Sequence, residues 1–213
     1  GNHIITTKIE HHAMLHSCNF LEKQGFAVTY LDVEPDGTVN PQKLEEAIRD
    51  DTILISIMLV NNEVGTVEPV EALSAIAKKH GILFHTDGVQ ALGNVPIDVK
   101  KMGVDMMSLS AHKIYGPKGV GALYVRKGLR ISNYLYGGAQ EAGRRAGTEN
   151  LAGIVGFGKA AQLAEENFER HVSHCREMRD YLIERITSEI PDVFVNGSMK
   201  HRHPGNANIT FKY

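Results

Sequence analysis

Two cysteines in 213 residues, Cys18 and Cys175, lie too far apart in sequence to suggest a disulfide scaffold, and the chain reads as one suited to a reducing compartment. Apolar runs are short. None approaches the ~20 residues that a helix spanning a bilayer requires. Charge of one sign is lacking too, since 23 Lys and Arg against 25 Asp and Glu leave a formal net charge of −2. Such a chain offers no basic field for nucleic acid and no polybasic patch for a membrane surface. Internal repeats and low-complexity tracts are absent. What remains, 42% hydrophobic and 23% charged residues, is ordinary for a cytoplasmic globular protein of one domain or one and a half. Neither end reads as a natural terminus, because Gly1 leads at once into β-prone Ile4-Ile5-Thr6-Thr7 and residues 207–211 read as a strand. A targeting peptide would lie upstream of Gly1, so organellar import is not decided by this stretch.

Strand-like and helix-like segments alternate. Residues 3–7 read as a strand and 13–24 as a helix stopped by Gly25. A second strand over 26–31 closes in the turn Glu34-Pro35-Asp36-Gly37, and Asn40-Pro41 caps and opens a helix through Arg49. The near-continuous apolar run 52–60 suits a strand covered on both faces. A helix over 68–80, a strand over 82–85 and strands at 106–108 and 121–125 follow. This alternation predicts an α/β fold, a mostly parallel sheet with helices on both faces, which binds ligands at the carboxyl ends of its strands. Residues 150–189 are helical in pattern, too long for one straight helix, so a break is expected near Phe168 to His174 and an end at Pro191. The tail reads as a loop with two short strands. The expected organisation is a large domain over 1–170, then a long helix and the beginning of a small C-terminal domain over 171–213.

The chemistry gathers around two strand ends. Lys113 stands between Ser110-Ala-His112 and the glycine-rich turn 116–121, after the strand-like Val104-Asp-Met-Met107. An amine there can be partly desolvated and become nucleophilic toward an aldehyde, while Ser110 and His112 offer donors to an anion such as the phosphate of an aldehyde cofactor. The competing reading is a surface lysine before a tight turn. Asp87 ends the strand-like 82–85 run, where a carboxylate is costly unless paired. A protonated pyridine nitrogen would be one partner, with Gln90 in reach of a ring substituent; a plain helix cap is the alternative.

These residues carry a resemblance. Glu10-His11, Val60-Asn-Asn62-Glu-Val-Gly65, His85-Thr-Asp87-Gly-Val-Gln90, Ser110-Ala-His112-Lys113, Gly137-Gly-Ala-Gln-Glu141 and Arg144-Arg-Ala-Gly-Thr148-Glu-Asn150 occur in the order of the class V aminotransferase-type pyridoxal phosphate enzymes. Within that group the chain resembles the cysteine desulfurases of the NifS/IscS type over essentially its whole length, and the last motif favours the NifS-like branch. The resemblance implies the large domain of fold-type I enzymes and pyridoxal 5′-phosphate as cofactor. L-cysteine would be converted to L-alanine, with sulfur passed through an enzyme persulfide to an acceptor or scaffold protein for iron–sulfur or other sulfur-cofactor assembly. By the same resemblance Lys113 would hold the cofactor and move the substrate α-proton. Asp87 would pair the ring nitrogen, Gln90 the ring hydroxyl, and Asn62 cofactor or substrate. His11 would stack over the ring as acid and base, a task that suits a planar group of unperturbed pKa ~6.5. Ser110 and His112 would bind the phosphate, and Thr148 the phosphate of a neighbouring subunit, which implies a homodimer.

Other readings compete. His12 and His16 are spaced i, i+4 with Cys18 nearby, as zinc ligands could be, but no Glu follows in the metalloprotease arrangement and no second ligand cluster is evident, so no metal is expected. The glycine turn 116–121 leads into a strand rather than a helix, so no nucleotide fingerprint is met. The family's phosphate-cradling loop is expected before Gly1, and its catalytic cysteine and carboxylate-binding arginine after Tyr213. Cys18 and Cys175 are therefore read as structural, and this stretch by itself is expected not to turn over. Gly88 stands where the family usually has alanine or another small residue. A related lyase or aminotransferase, or a folded but non-catalytic domain, remain the rival readings.

Overall fold

Short β-branched and apolar segments build one sheet in the computed structural model, which describes residues 1–212; Tyr213, the last residue of the expected C-terminal unit, lies outside it. The chain runs β1 (His3–Thr7), α1 (His12–Lys23), β2 (Ala27–Leu31), α2 (Pro41–Glu46), β3 (Thr52–Ser56), α3 (Val70–Lys79) and β4 (Leu83–Asp87). It continues through α4 (Val99–Met102), β5 (Met106–Ser110), a 3₁₀ turn (Ala111–Ile114) and β6 (Gly121–Val125). Last come α5 (Gln140–Gly143), α6 (Leu151–Glu166), α7 (Phe168–Glu189), β7 (Val193–Val195) and β8 (Ile209–Phe211). The first six strands form one sheet in the order β2-β1-β3-β4-β5-β6, and β7 and β8 form a separate antiparallel pair. All neighbours in the large sheet are parallel except β5 and β6. The mostly parallel α/β sheet expected from the alternation is present.

Why the sheet holds is legible in its centre. Ile5, Ile55, Phe84 and Met107, one from each of four adjacent strands, are at most 1% exposed and pack with Leu44 of α2 and Leu73 of α3. Each such side chain contributes about 1.5–3 kcal/mol by leaving water. The strand order matters for function. From β1 the chain crosses to β2 on one side, and from β3 it crosses to β4 on the other. The carboxyl ends of β1 and β3 therefore flank a topological switch point, the place where open α/β sheets form ligand crevices.

Several boundaries differ from the sequence reading, each for a local reason. Helix α2 stops at Glu46 rather than Arg49, because the Arg49 N–H turns to Thr52 Oγ1 and its guanidinium pairs with Asp51. The run 52–60 is buried as expected from Ile55 onward, but β3 itself ends at Ser56. Beyond it Ile57 and Leu59 still donate to His85 and Asp87 of β4, whereas the Met58 N–H goes to the side chain of Glu10 at 2.9 Å instead of to a β1 carbonyl. The long helical segment breaks at Asn167, one residue before the expected interval. It ends at Glu189 with Ile190 extended ahead of Pro191, as the residue before a proline prefers. Helix α4, one turn capped by Asp98, was too short to show a period in the sequence.

Candidate active site

The carboxyl ends of β1, β3, β4 and β5 lie side by side, and the segments leaving them carry His11, Asn62, Asp87 with Gln90, and Lys113. Parallel pairing aligns Ser56 with His85 and Asp87 with Ser108. With a side-chain period of two, Ser56, His85, Asp87, Ser108 and Ser110 therefore share one face of the sheet. His85 is the buried brace of that face: its Nδ1 meets Ser56 Oγ at 2.7 Å and its Nε2 meets Ser108 Oγ at 2.9 Å. Burial lowers its pKa, with the nearby Asp87 charge opposing, which keeps the imidazole neutral between the two hydroxyls. Ser56, His85 and Ser108 were not singled out from the sequence for this role, though the alternations His85-Thr-Asp87 and Ser108-Leu-Ser110 carried the signal.

Asp87 is half-buried at the end of β4, and its Oδ1 accepts the Val89 N–H at 2.9 Å. Asp87 thus closes a turn through one oxygen, with no helix to cap, and the second oxygen remains for another donor. Gln90, in the turn that follows, has its Oε1 buried with no hydrogen-bond partner, an acceptor waiting for a donor. Ser110 Oγ and His112 Nδ1 stand 2.7 Å apart as a preformed polar pair. Between them and Gly116 the chain makes the 3₁₀ turn, with Tyr115 left-handed at φ 64. Lys113 lies on that turn. It is exposed, so the partial desolvation expected at a strand end is not found: the turn lifts the side chain off the sheet edge into solvent. Among the described residues no acid forms an ion pair with it.

The turn is seated tightly. A Cβ on Gly116 would come within 2.9 Å of Ala111 Cβ and carbonyl O and 3.2 Å of Ala160 Cβ on α6, so only glycine allows this approach. A Cβ on Gly88 would meet the Met107 side chain at 2.9 Å, so that thioether occupies the space that an alanine would need. Asn62 is exposed in the turn after Asn61 rather than just past a strand end. Its neighbour Asn61 is buried, with Nδ2 bonded to the Ile9 carbonyl and Oδ1 taking the Glu63 and Val64 N–H groups. The tail supports the same turn from outside, since Asn206 and Asn208 both donate to the Glu63 carbonyl and the Arg202 guanidinium donates to the Val64 carbonyl.

His11 caps α1, with Nδ1 accepting the Ala13 N–H at 3.1 Å. A backbone N–H can only donate, so the neutral ring carries its hydrogen on Nε2. Thr148 stands apart from this set. It lines a groove of about 1120 Å³ along β6 and α6, together with Arg144, Arg145 and Phe157. His12 and His16 stack at 5.4 Å, but both are exposed while Cys18 is buried, so the three do not converge. Burial pushes the Cys18 thiol up to about 11, with Glu10 and Glu22 adding to the shift, which leaves it inert. Cys175 lies on α7 with Sγ 3.8 Å from the His171 ring nitrogens.

A topological switch point with polar groups gathered on one sheet face is the arrangement of an α/β protein that binds ligands at its strand ends. The particular family follows from comparison: the chain belongs to the aminotransferase class-V family, whose model matches residues 1–213. It is 54% identical over 213 residues to a cysteine desulfurase IscS of Dictyoglomus turgidum, covering 100% of this chain and 54% of that protein. To a cysteine desulfurase IscS of Methanosarcina thermophila it is 56% identical, covering 100% and 52%. Among solved structures, a NifS-like protein superposes with a TM-score of 0.91 at 40% identity, over 95% of this chain and 56% of that one. SspA in complex with cysteine gives 0.86 at 41% identity, over 99% and 58%. The chain thus spans about half the length of the relatives it matches.

No helix among the described residues is long and apolar enough to cross a membrane.

Proposed function

We propose that this chain is the cofactor-bearing part of a pyridoxal phosphate-dependent cysteine desulfurase, acting on L-cysteine and passing its sulfur, through a persulfide, to an acceptor or scaffold protein. The observation that carries the reading is the adjacency of Asp87 and the Ser110–His112–Lys113 turn on neighbouring strands β4 and β5, in a chain about half identical to cysteine desulfurases. The residues present fit the group. The partnerless buried Gln90 Oε1 supplies an acceptor for a ring hydroxyl, and the Ser110–His112 pair supplies donors for a phosphate. Lys113 brings an exposed amine for the aldehyde. When bound, pyridoxal phosphate supplies an electron sink for the carbanion formed at the substrate α-carbon.

The protein's part is positioning and proton traffic. Asp87 keeps the ring nitrogen protonated, Asn62 orients ring or substrate, and Lys113 accepts the substrate α-proton. His11 delivers or removes a proton at Nε2, the nitrogen its cap leaves available. Thr148, which lines a separate groove, would serve the phosphate of a second subunit in a homodimer. The cytoplasm is the compartment in which two free cysteines fit best.

Incubating the intact protein with pyridoxal phosphate, reducing with borohydride and mapping the peptides tests the reading. The expected result is one dominant adduct, on Lys113. A stable adduct mainly on another lysine, or none in the intact protein, overturns it.

A further inference from the structure

Glu10 is acidic, only 5% exposed, and stands at the switch point between β1 and β3. Its Oε1 accepts both the Thr7 hydroxyl and the Met58 N–H, each at 2.9 Å. Met58 lies between Ile57 and Leu59, whose N–H groups donate to His85 O at 3.1 Å and Asp87 O at 2.9 Å. One carboxyl oxygen therefore joins the β1–α1 connection, which carries His11, to the strand exit that is itself bonded to the backbone of Asp87. The other oxygen, Oε2, is buried and has no partner.

We propose that Glu10 is a positioning residue: its side chain fixes the β1–α1 connection against the exit of β3 and so sets His11 relative to Asp87. The inference rests on the reading that His11 stacks over the cofactor ring whose nitrogen Asp87 pairs. Three features support it. The contacts are made at the switch-point end of the sheet, where the chain leaves β1 and β3. The acceptor is a side chain replacing the β1 carbonyl that would have continued the ladder, so removing it leaves a buried backbone N–H unpaired. The carboxyl is also shifted toward its neutral form. Burial pushes its pKa up to about 7, the Met58 and Thr7 hydrogen bonds oppose this, and the Asp87 charge adds to it. The other titratable groups that feel Glu10 are Cys18 and Glu68. Where Glu10 carries its proton, it adds no second negative charge beside Asp87.

The test compares the parent with Glu10→Gln, Glu10→Ala and Glu10→Asp in the intact protein, reading cofactor dissociation by absorbance titration and the absorption maximum of the bound cofactor. Borohydride mapping of each protein runs beside it. Gln keeps the acceptor for Thr7 and Met58, so it should stay within about threefold of the parent in affinity, with an unchanged maximum. Ala should weaken binding by about tenfold or more and shift the maximum, because a buried donor is left unpaired and the His11 connection is released. Asp, one methylene short of bridging, should behave like Ala, and it keeps the question open to measurement if Ala does not fold. Equal affinity and an equal maximum in all four proteins, with Lys113 labelled throughout, overturn the role of Glu10 and leave the proposed function standing. Failure of Gln to rescue overturns it as well. Absence of the Lys113 adduct in the parent instead overturns the proposed function.

Discussion

Replacing Glu68 by Gln should flatten the pH dependence of stability, and the size of the effect follows from where Glu68 sits. The residue is 3% exposed, with Oε2 accepting the Val39 N–H at 2.7 Å and Oε1 buried without a partner. Burial raises its pKa from 4.5 to about 8, against the Val39 hydrogen bond and with the charges of Glu10 and Asp36 adding. Between these two values the folded chain keeps a proton that the unfolded chain has released. Stability is therefore greatest below pH 4.5 and falls as pH rises toward 8, by about 1.4 kcal/mol per pH unit for each such proton. From pH 5.5 to 7.5 the loss from Glu68 is about 2.5 kcal/mol, the slope easing toward the upper end as the folded group begins to release its own proton. In Glu68→Gln the amide oxygen still accepts from Val39, so the variant differs from the parent by a constant offset plus the missing slope. His203, which burial lowers to about 4, with the neighbouring His171 and Arg179 charges adding, tilts the curve the opposite way in both proteins and cancels in the difference. Urea denaturation of parent and variant at pH 5.5, 6.5 and 7.5 measures that difference. The variant should gain on the parent by about 2–3 kcal/mol across the range. Parallel curves, agreeing within about 0.7 kcal/mol, would mean that Glu68 is ionised in the folded state and that the burial argument is wrong.

In the intact protein, Asp87→Asn keeps an acceptor for the Val89 N–H but removes the charge, so cofactor occupancy should hold while turnover of cysteine drops by about a hundredfold. Near-parental turnover would reduce Asp87 to a turn-closing residue. Gly116→Ala must push the Lys113 turn away from Ala160, at a cost of about 1–3 kcal/mol in stability read by thermal melting. Cofactor affinity should weaken with it, and an unchanged affinity would show that the seat on α6 does not position Lys113.

Much of the frame was written in local patterns. The β1, β2 and β6 segments, the caps at Asn40 and Gly25 and the stop before Pro191 all announce themselves within a few residues. The end of β3 does not. Residues 57–60 are as apolar and buried as those in the strand, and what takes Met58 from the β1 ladder is a side chain 48 residues away, Glu10. The exposure of Lys113 escaped for a similar reason. Its neighbours show a strand followed by a glycine turn, but the intervening 3₁₀ turn depends on Gly116 lying against Ala160, a contact across 44 residues. Motif order placed Asp87, Gln90, Ser110 and His112 at one sheet edge; tertiary contacts decided which of their atoms remained available.

Glu10 and Glu68 solve the same backbone problem at that edge. Each presents one oxygen to an N–H that no strand carbonyl reaches, Met58 for one and Val39 for the other. Glutamine would meet the same need without a titrating proton and without the slope worked out above. An acid at such a place stabilises no more than the amide and costs stability as pH rises, so packing and hydrogen bonding do not account for the choice. The distinction between the two positions lies in what surrounds them. Glu68 feels Asp36 and Glu10, whereas Glu10 feels Asp87, whose charge the ring nitrogen would need. A buried proton beside Asp87 bears on the site's electrostatics; the one at Glu68 bears on it only through Glu10. Loss of the bridging oxygen, as in Glu10→Ala, should therefore disturb the bound cofactor, whereas replacement of Glu68 should register mainly in the stability curve.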